Sequence, residues 1–260
     1  MLELEGRVAL VTGAARGVGA AIAQRFVEAG AFVVIGDVLE DAGRETAETL
    51  GAAARFHALD VTSEEAWSHL VEETLAVHER IDVLVHNAAV LHLGTIENTP
   101  PEVFERLMRV NTLGPFLGTR AVLPAMKARQ RGSIVHVGSI DGLVAMNGIS
   151  AYAASKWGMR GLAKASALEL GRDGIRVNSV CPAGGNTMMY GPWLEKMVSF
   201  LEETASYTRN RGIPGAVPIE AIAESVLYLA SDSSAHVTGI DLPVDGGASA
   251  GRFIPGFNTL

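Results

Sequence analysis

Cysteine is almost missing from this chain: Cys181 stands alone among 260 residues. A single thiol excludes an internal disulfide, and such usage suits a reducing cytoplasm. Positive charge is also scarce, with 21 Lys and Arg against 29 Asp and Glu, a net charge of −8 and a pI near 5.4. No basic run is present, which argues against nucleic acid as a partner. No apolar run approaches the roughly 20 residues needed to cross a bilayer, so no membrane is expected. The first six residues, MLELEG, show no signal-peptide pattern, and no internal repeat or low-complexity stretch appears. The histidines His57, His69, His78, His92, His136 and His236 show no metal-ligand spacing, and no metal is expected. What remains is an ordinary globular balance, 48% hydrophobic and 19% charged. The expectation is an acidic, cytoplasmic, single-domain protein spanning residues 1–260.

Along the chain, short apolar runs alternate with helical patterns. Strands are expected at 7–12, 32–36, 54–59, 82–85, 132–137, 176–180 and 241–244. Helices are expected at 20–29, 41–50, 63–78, 102–123, from Ser150 onward and at 219–231, with Thr62 or Ser63 capping the third. Seven strands and six main helices in β-α order predict an α/β fold, a Rossmann-type doubly wound parallel sheet with helices on both faces.

The first strand runs into Gly13-x-x-x-Gly17-x-Gly19, then a helix and a second strand ending at Asp37. Strand, Gly-rich turn, helix and strand form a βαβ unit. There the backbone can near a pyrophosphate without a Cβ in the way, and a helix N-terminus faces the anion. Asp37 is placed to accept hydrogen bonds from adenosine ribose hydroxyls and to repel a 2′-phosphate, favouring NAD over NADP. Arg16 argues the other way, since it can pair with that phosphate. Asp60 and Asn87 follow later strands at the ligand-binding edge of the sheet, where each serves equally well as a loop cap. Asn111 falls inside a helical pattern that Asn disfavours, and holding a buried water is one local reason for it.

Tyr152 and Lys156 lie four apart, on one face of a helix. A cation about 5 Å from the phenol, at an effective dielectric of roughly 20, favours the phenolate by about 3 kcal/mol. That lowers the Tyr152 pKa by about two units and makes the pair a tuned acid and base.

Taken together, Thr12-Gly13-x-x-x-Gly17-x-Gly19, Asp60, Asn87-Ala88, Asn111, Ser139, Tyr152-x-x-x-Lys156 and Pro182 resemble the short-chain dehydrogenase/reductase pattern, from about residue 5 to Asp245-Gly246-Gly247. Within the family, Asp60-Val-Thr, Ala153-Ala-Ser-Lys-Trp-Gly and Ile175-Arg-Val-Asn-Ser-Val look like bacterial NAD-dependent hydroxysteroid dehydrogenases of the 3α/20β type. The resemblance implies hydride transfer with Tyr152 exchanging a proton with the substrate oxygen. Lys156 then lowers the Tyr pKa and binds the nicotinamide ribose, Ser139 orients the substrate oxygen, and Asn111 holds a relay water. It implies cofactor contacts from Gly13, Arg16, Gly17, Val18, Gly19, Asp37, Val38, Asp60, Val61, Asn87, Ala88, Tyr152, Lys156, Pro182, Ala183, Gly185 and Thr187. Three positions depart from the family pattern: Ala89 and Ala183 stand for Gly, and Gly138 for a common Ser.

Substrate choice is expected from the apolar segments 91–93, 143–146 and 188–201. Residues 188–215 form a variable substrate loop, where Trp193, Met197, Phe200, Leu201 and Thr204 share one helical face as a lid or as core packing. Met-rich walls favour a hydrophobic cyclic or steroid-like alcohol or ketone. The family resemblance implies a homotetramer in which the tail at 248–260, with GRFIPGFNTL at its end, packs at subunit interfaces. Two alternatives stand beside this reading: a 3-oxoacyl-carrier-protein reductase of the same family, and a catalytically silent NAD-binding regulator.

Overall fold

The computed structural model describes residues 3–184 and 187–254. Seven parallel strands form one sheet in the order β3-β2-β1-β4-β5-β6-β7. They are β1 (Val8–Thr12), β2 (Phe32–Asp37), β3 (Ala54–Ala58), β4 (Val83–His86), β5 (Gly132–Val137), β6 (Ile175–Pro182) and β7 (Asp241–Val244). The central strands β1, β4 and β5 are buried along their whole length, as a parallel sheet covered on both faces requires.

Alternate residues of each strand face opposite layers. Val11, Ile35, Val85 and Val135 pack with Ile22 and Phe26 of α1 (Gly17–Glu28), Ala47 of α2 (Glu40–Leu50), and Ile222 and Val226 of the last helix, Ile219–Ala230. Leu10, Val34, Leu84 and Ile134 face Trp67 and Leu70 of α3 (Glu64–His78) and the helices that follow on that side. Ser63 caps α3 as expected, its Oγ accepting from Ala66 N at 3.1 Å.

The helix expected at 102–123 is two helices, α4 (Pro101–Met108) and α5 (Gly114–Ala128), joined by a wider π turn at Arg109–Leu113. α6 runs from Ser150 to Leu170. The single lid helix is not formed. Leu194–Met197 (α7) and Leu201–Arg209 (α8) are separated by a 3₁₀ turn, and another 3₁₀ stretch, Thr187–Trp193, precedes them. Pro192 lies in that first stretch and has no N–H to donate to a continuing helix. The face proposed there cannot be traced further, because the side chains of Phe200, Leu201 and Thr204 lie outside the described residues, as do Gly185, the Thr187 side chain and 255–260. Ile219–Ala230 is α9.

The chain winds from β1 outward to β3, then returns to place β4 on the other side of β1. The crevice beyond the carboxyl ends of β1 and β4 is therefore the switch point where such sheets bind ligands.

Candidate active site

At that switch point the glycine turn is fitted to its neighbours. Gly13 and Gly17 have φ of 64° and 61°, which L side chains rarely adopt. A Cβ on Gly13 would come 2.6 Å from Ala88 Cα, and one on Gly19 would come 2.2 Å from the Gly13 carbonyl oxygen. Asn87 pins this turn to the end of β4, its Nδ2 donating to Thr12 O at 3.0 Å and Gly13 O at 2.9 Å. Thr12 Oγ1 in turn accepts from Asn87 N and Ala88 N, both at 3.1 Å. The first turn of α1, with Val18 buried, carries no side-chain cap and no acidic residue, so its free N–H groups face the crevice. This is a cradle for an anion.

Asp37, at the end of β2, accepts from Ala15 N at 3.0 Å and Leu39 N at 3.1 Å. It is held in place by backbone and keeps further lone pairs for a ribose. Arg16 and Val38 are exposed. Asp60 is also exposed, and its Oδ1 accepts from Thr62 N and Thr62 Oγ1, both at 2.8 Å, the loop-cap half of its expected role. Val61 is buried, with its carbonyl bound by Trp67 Nε1. These residues fit a dinucleotide.

Beyond the far side of the crevice, β5 ends at Val137 and Ser139 follows. Tyr152 stands in the first turn of α6 with Lys156 one turn on, and both are buried. Lys156 Nζ donates to Val137 O at 2.9 Å and lies 5.7 Å from the centre of the Tyr152 ring. Burial pulls the lysine pKa down to about 8, against the pull of the Cys181 and Asp141 sites. The expected depression of the tyrosine is reversed in the ligand-free chain. Burial, with the Asp141 carboxylate beside it, pushes the phenol well above its usual value, and the Ser139 hydroxyl only partly offsets this. A cation four residues away favours the phenolate, but desolvation is the larger effect here.

Asp141 was not a candidate in the sequence. It is buried, accepts from Ser139 Oγ at 3.1 Å through Oδ2, and donates its N–H to the same Oγ at 3.1 Å. Burial raises its pKa, so its proton is easier to retain than an ordinary aspartate's. The only signal available was its place two residues after Ser139.

Asn111 is wholly buried in the π turn. Its Oδ1 accepts from Val90 N at 2.9 Å, and its Nδ2 donates to Val90 O at 2.9 Å and Ser155 Oγ at 3.0 Å. The amide thus ties the segment after β4 to α6, and both of its hydrogens are used. Tyr152 itself packs in an apolar cluster with Leu107, Ile149 and Ala151, against which Leu91, Leu93 and Met189 also lie. A bridge between Gly94 and Ile149 anchors that wall. Leu91–Leu93 thus does border the site, while Val144 and Met146 are half exposed.

The departures from the family pattern have local accounts. A Cβ on Gly138 would meet Cys181 Sγ at 3.1 Å, so the glycine makes room for the buried thiol. Pro182 ends β6, Ala183 N donates to Val244 O at 3.1 Å, and Gly184 supplies the positive φ of 102°. For Ala89, partly buried, no contact explains the methyl.

A doubly wound sheet with a glycine cradle at its switch point and a buried Ser, Tyr and Lys beyond it defines a nucleotide-dependent oxidoreductase of the Rossmann class. Comparison with known proteins sharpens the class. The profile of a family described as enoyl-(acyl carrier protein) reductase matches residues 13–249. A 3-alpha-(or 20-beta)-hydroxysteroid dehydrogenase of Mycobacterium tuberculosis is 42% identical over 249 residues, 96% of this chain and 92% of that protein. A trans-4-hydroxycyclohexanecarboxylate dehydrogenase of Sinomonas cyclohexanicum is also 42% identical, over 95% of this chain and 94% of its own. A cyclopentanol dehydrogenase of Comamonas sp. is 38% identical over 96% and 100% of the two chains. The chain belongs to the short-chain dehydrogenase/reductase family, whose members use a nicotinamide cofactor. No helix among the described residues is long and apolar enough to cross a membrane.

Proposed function

We propose that this protein interconverts a secondary alcohol and a ketone with NAD(H), on a hydrophobic cyclic or steroid-like substrate, with Tyr152 as the acid and base. One observation carries the reading: Tyr152, Lys156 and Ser139 lie buried together beside an apolar wall, across the crevice from a glycine cradle. The names of the relatives, which include steroid, cyclohexane and cyclopentane alcohol dehydrogenases, support the substrate class.

The bound nicotinamide supplies hydride transfer and, when oxidised, a positive charge. The protein supplies the proton. Tyr152, kept neutral by burial, gives its proton to the ketone oxygen in reduction and takes it back from the alcohol in oxidation. Lys156 has two N–H groups left after Val137, enough to hold the nicotinamide ribose and keep a cation near the phenol. Ser139 orients the substrate oxygen. Its proton points at Asp141, so it can donate to substrate when Asp141 is protonated or when that bond breaks. A relay water at Asn111 is held by the backbone of the π turn, since the amide hydrogens are committed. Asp37 selects NAD by repelling a 2′-phosphate, Thr187 holds the carboxamide, and Gly185 is a further cofactor contact. The 188–215 segment covers the substrate. The chain works as a homotetramer in the cytoplasm with its tail, where Phe253 and Ile254 are part exposed, at an interface.

A panel of steroid and cyclic alcohols with NAD and NADP in parallel tests this. Tyr152→Phe should cut turnover by roughly 10²–10⁴-fold while leaving NAD binding intact. Full activity in that variant would refute the mechanism. A 3-oxoacyl-carrier-protein reductase would show instead as NADPH-dependent reduction of acyl substrates, and a silent regulator as NAD binding without turnover.

A further inference from the structure

At the outer edge of the sheet, far along the chain from Ser139 and Tyr152, three side chains converge that nothing in the dehydrogenase chemistry uses. His57 stands on β3, and His69 and Glu73 stand one turn apart on α3. Glu73 lies between the two imidazoles: its Oε2 is 3.2 Å from His57 Nδ1 and its Oε1 is 3.7 Å from His69 Nε2. The imidazole ring centres are 5.3 Å apart, and the three donor atoms all fall within 4.8 Å of one another.

We propose that His57, His69 and Glu73 form a binding site for one divalent transition cation of the zinc type. A tetrahedral ion with bonds of about 2.1 Å holds its ligand atoms about 3.4 Å apart. The two observed separations run to different oxygens of the one carboxylate, and a turn of Glu73 with the exposed His69 side chain would bring a single oxygen and both nitrogens to that spacing. Two imidazoles and one carboxylate suit zinc, cobalt or nickel; magnesium and calcium demand oxygen ligands. Helical spacing of four presents His69 and Glu73 on one face, while β3 fixes His57 opposite them.

Arg55 is the competitor, with its guanidinium 3.8 Å from Glu73, but it is more than half exposed and can turn to solvent. A water would take the fourth position. The ion would cross-link the edge strand to the following helix, across the turn that carries Asp60 and Val61.

The test uses the full-length, untagged chain after dialysis against a chelator. Zinc alone is titrated by calorimetry, cobalt by its visible absorption, and thermal unfolding is followed with each. The expected result is one zinc ion per chain and a Tm rise of about 5–10 °C at a hundredfold excess over Kd. Magnesium should change nothing. His69→Ala and Glu73→Gln, both at positions exposed enough to fold normally, should each weaken binding by at least about tenfold, and His236→Ala should not. Absence of zinc binding at 100-fold excess over the protein, or binding unchanged in both variants, would overturn the site. So would loss of binding in His236→Ala.

Discussion

Lys156→Met removes the buried cation on which the proposed mechanism depends, and it should stabilise the protein. The ammonium is buried, and its pKa falls from 10.5 to about 8. Holding it charged at pH 7 therefore costs about 3 kcal/mol, at about 1.4 kcal/mol per pH unit. Methionine fills much of the same volume without charge, but the Val137 carbonyl loses its 2.9 Å donor, a loss of about 1 kcal/mol. The expected net gain is about 2 kcal/mol, or roughly 4–8 °C in Tm for a chain of this size. The folded pKa lies below the unfolded one, so between pH 8 and 10.5 the unfolded chain binds the extra proton. Wild-type stability from this group therefore rises with pH across that window. The advantage of the variant is full below pH 8 and fades toward pH 10.5. Urea unfolding of both proteins at pH 7 and pH 10, with turnover measured alongside, checks this. A variant less stable than wild type at pH 7 would refute the reasoning. On the proposed mechanism, function and stability pull against each other at this residue.

Other outcomes follow from the same geometry. His86 and His136 pair across β4 and β5 with ring centres 4.9 Å apart, and burial, then Lys156, lowers the His136 pKa to about 3. The unfolded chain binds that proton below pH 6.5, so stability falls with acid, by about 2 kcal/mol between pH 6.5 and 5 from His136 alone. A urea midpoint that moves no less in His136→Leu than in wild type would count against it. Gly138→Ser places a Cβ 3.1 Å from Cys181 Sγ and 3.3 Å from Val180 O and should cost about 1–2 kcal/mol, partly recovered in the Cys181→Ala double variant; a double-mutant cycle reads the coupling. Asp37→Ala should raise NADP use relative to NAD by at least tenfold in kcat/KM, as Arg16 then meets the 2′-phosphate unopposed, and an unchanged ratio would remove Asp37 from cofactor choice.

Much of this protein was legible in its sequence, because its signals are local. Apolar runs of strand length, a Gly-rich turn before a helix, and a Tyr and Lys four apart are short patterns whose geometry the chain imposes by itself. They gave the seven strands, the cradle and the Tyr152–Lys156 face. What only the tertiary structure decided depends on segments distant in the chain meeting in a dry interior. The long helix opens into a π turn because Asn111 reaches Val90 and Ser155. Asp141 gains its place beside Ser139 and Tyr152 by being buried with them, and desolvation reverses the expected shift of the tyrosine. His57 meets His69 and Glu73 only once α3 packs on β3. Spacing fixes which residues share a face, but burial and non-local contact set their charge and their partners, and those emerge only when the whole sheet is covered.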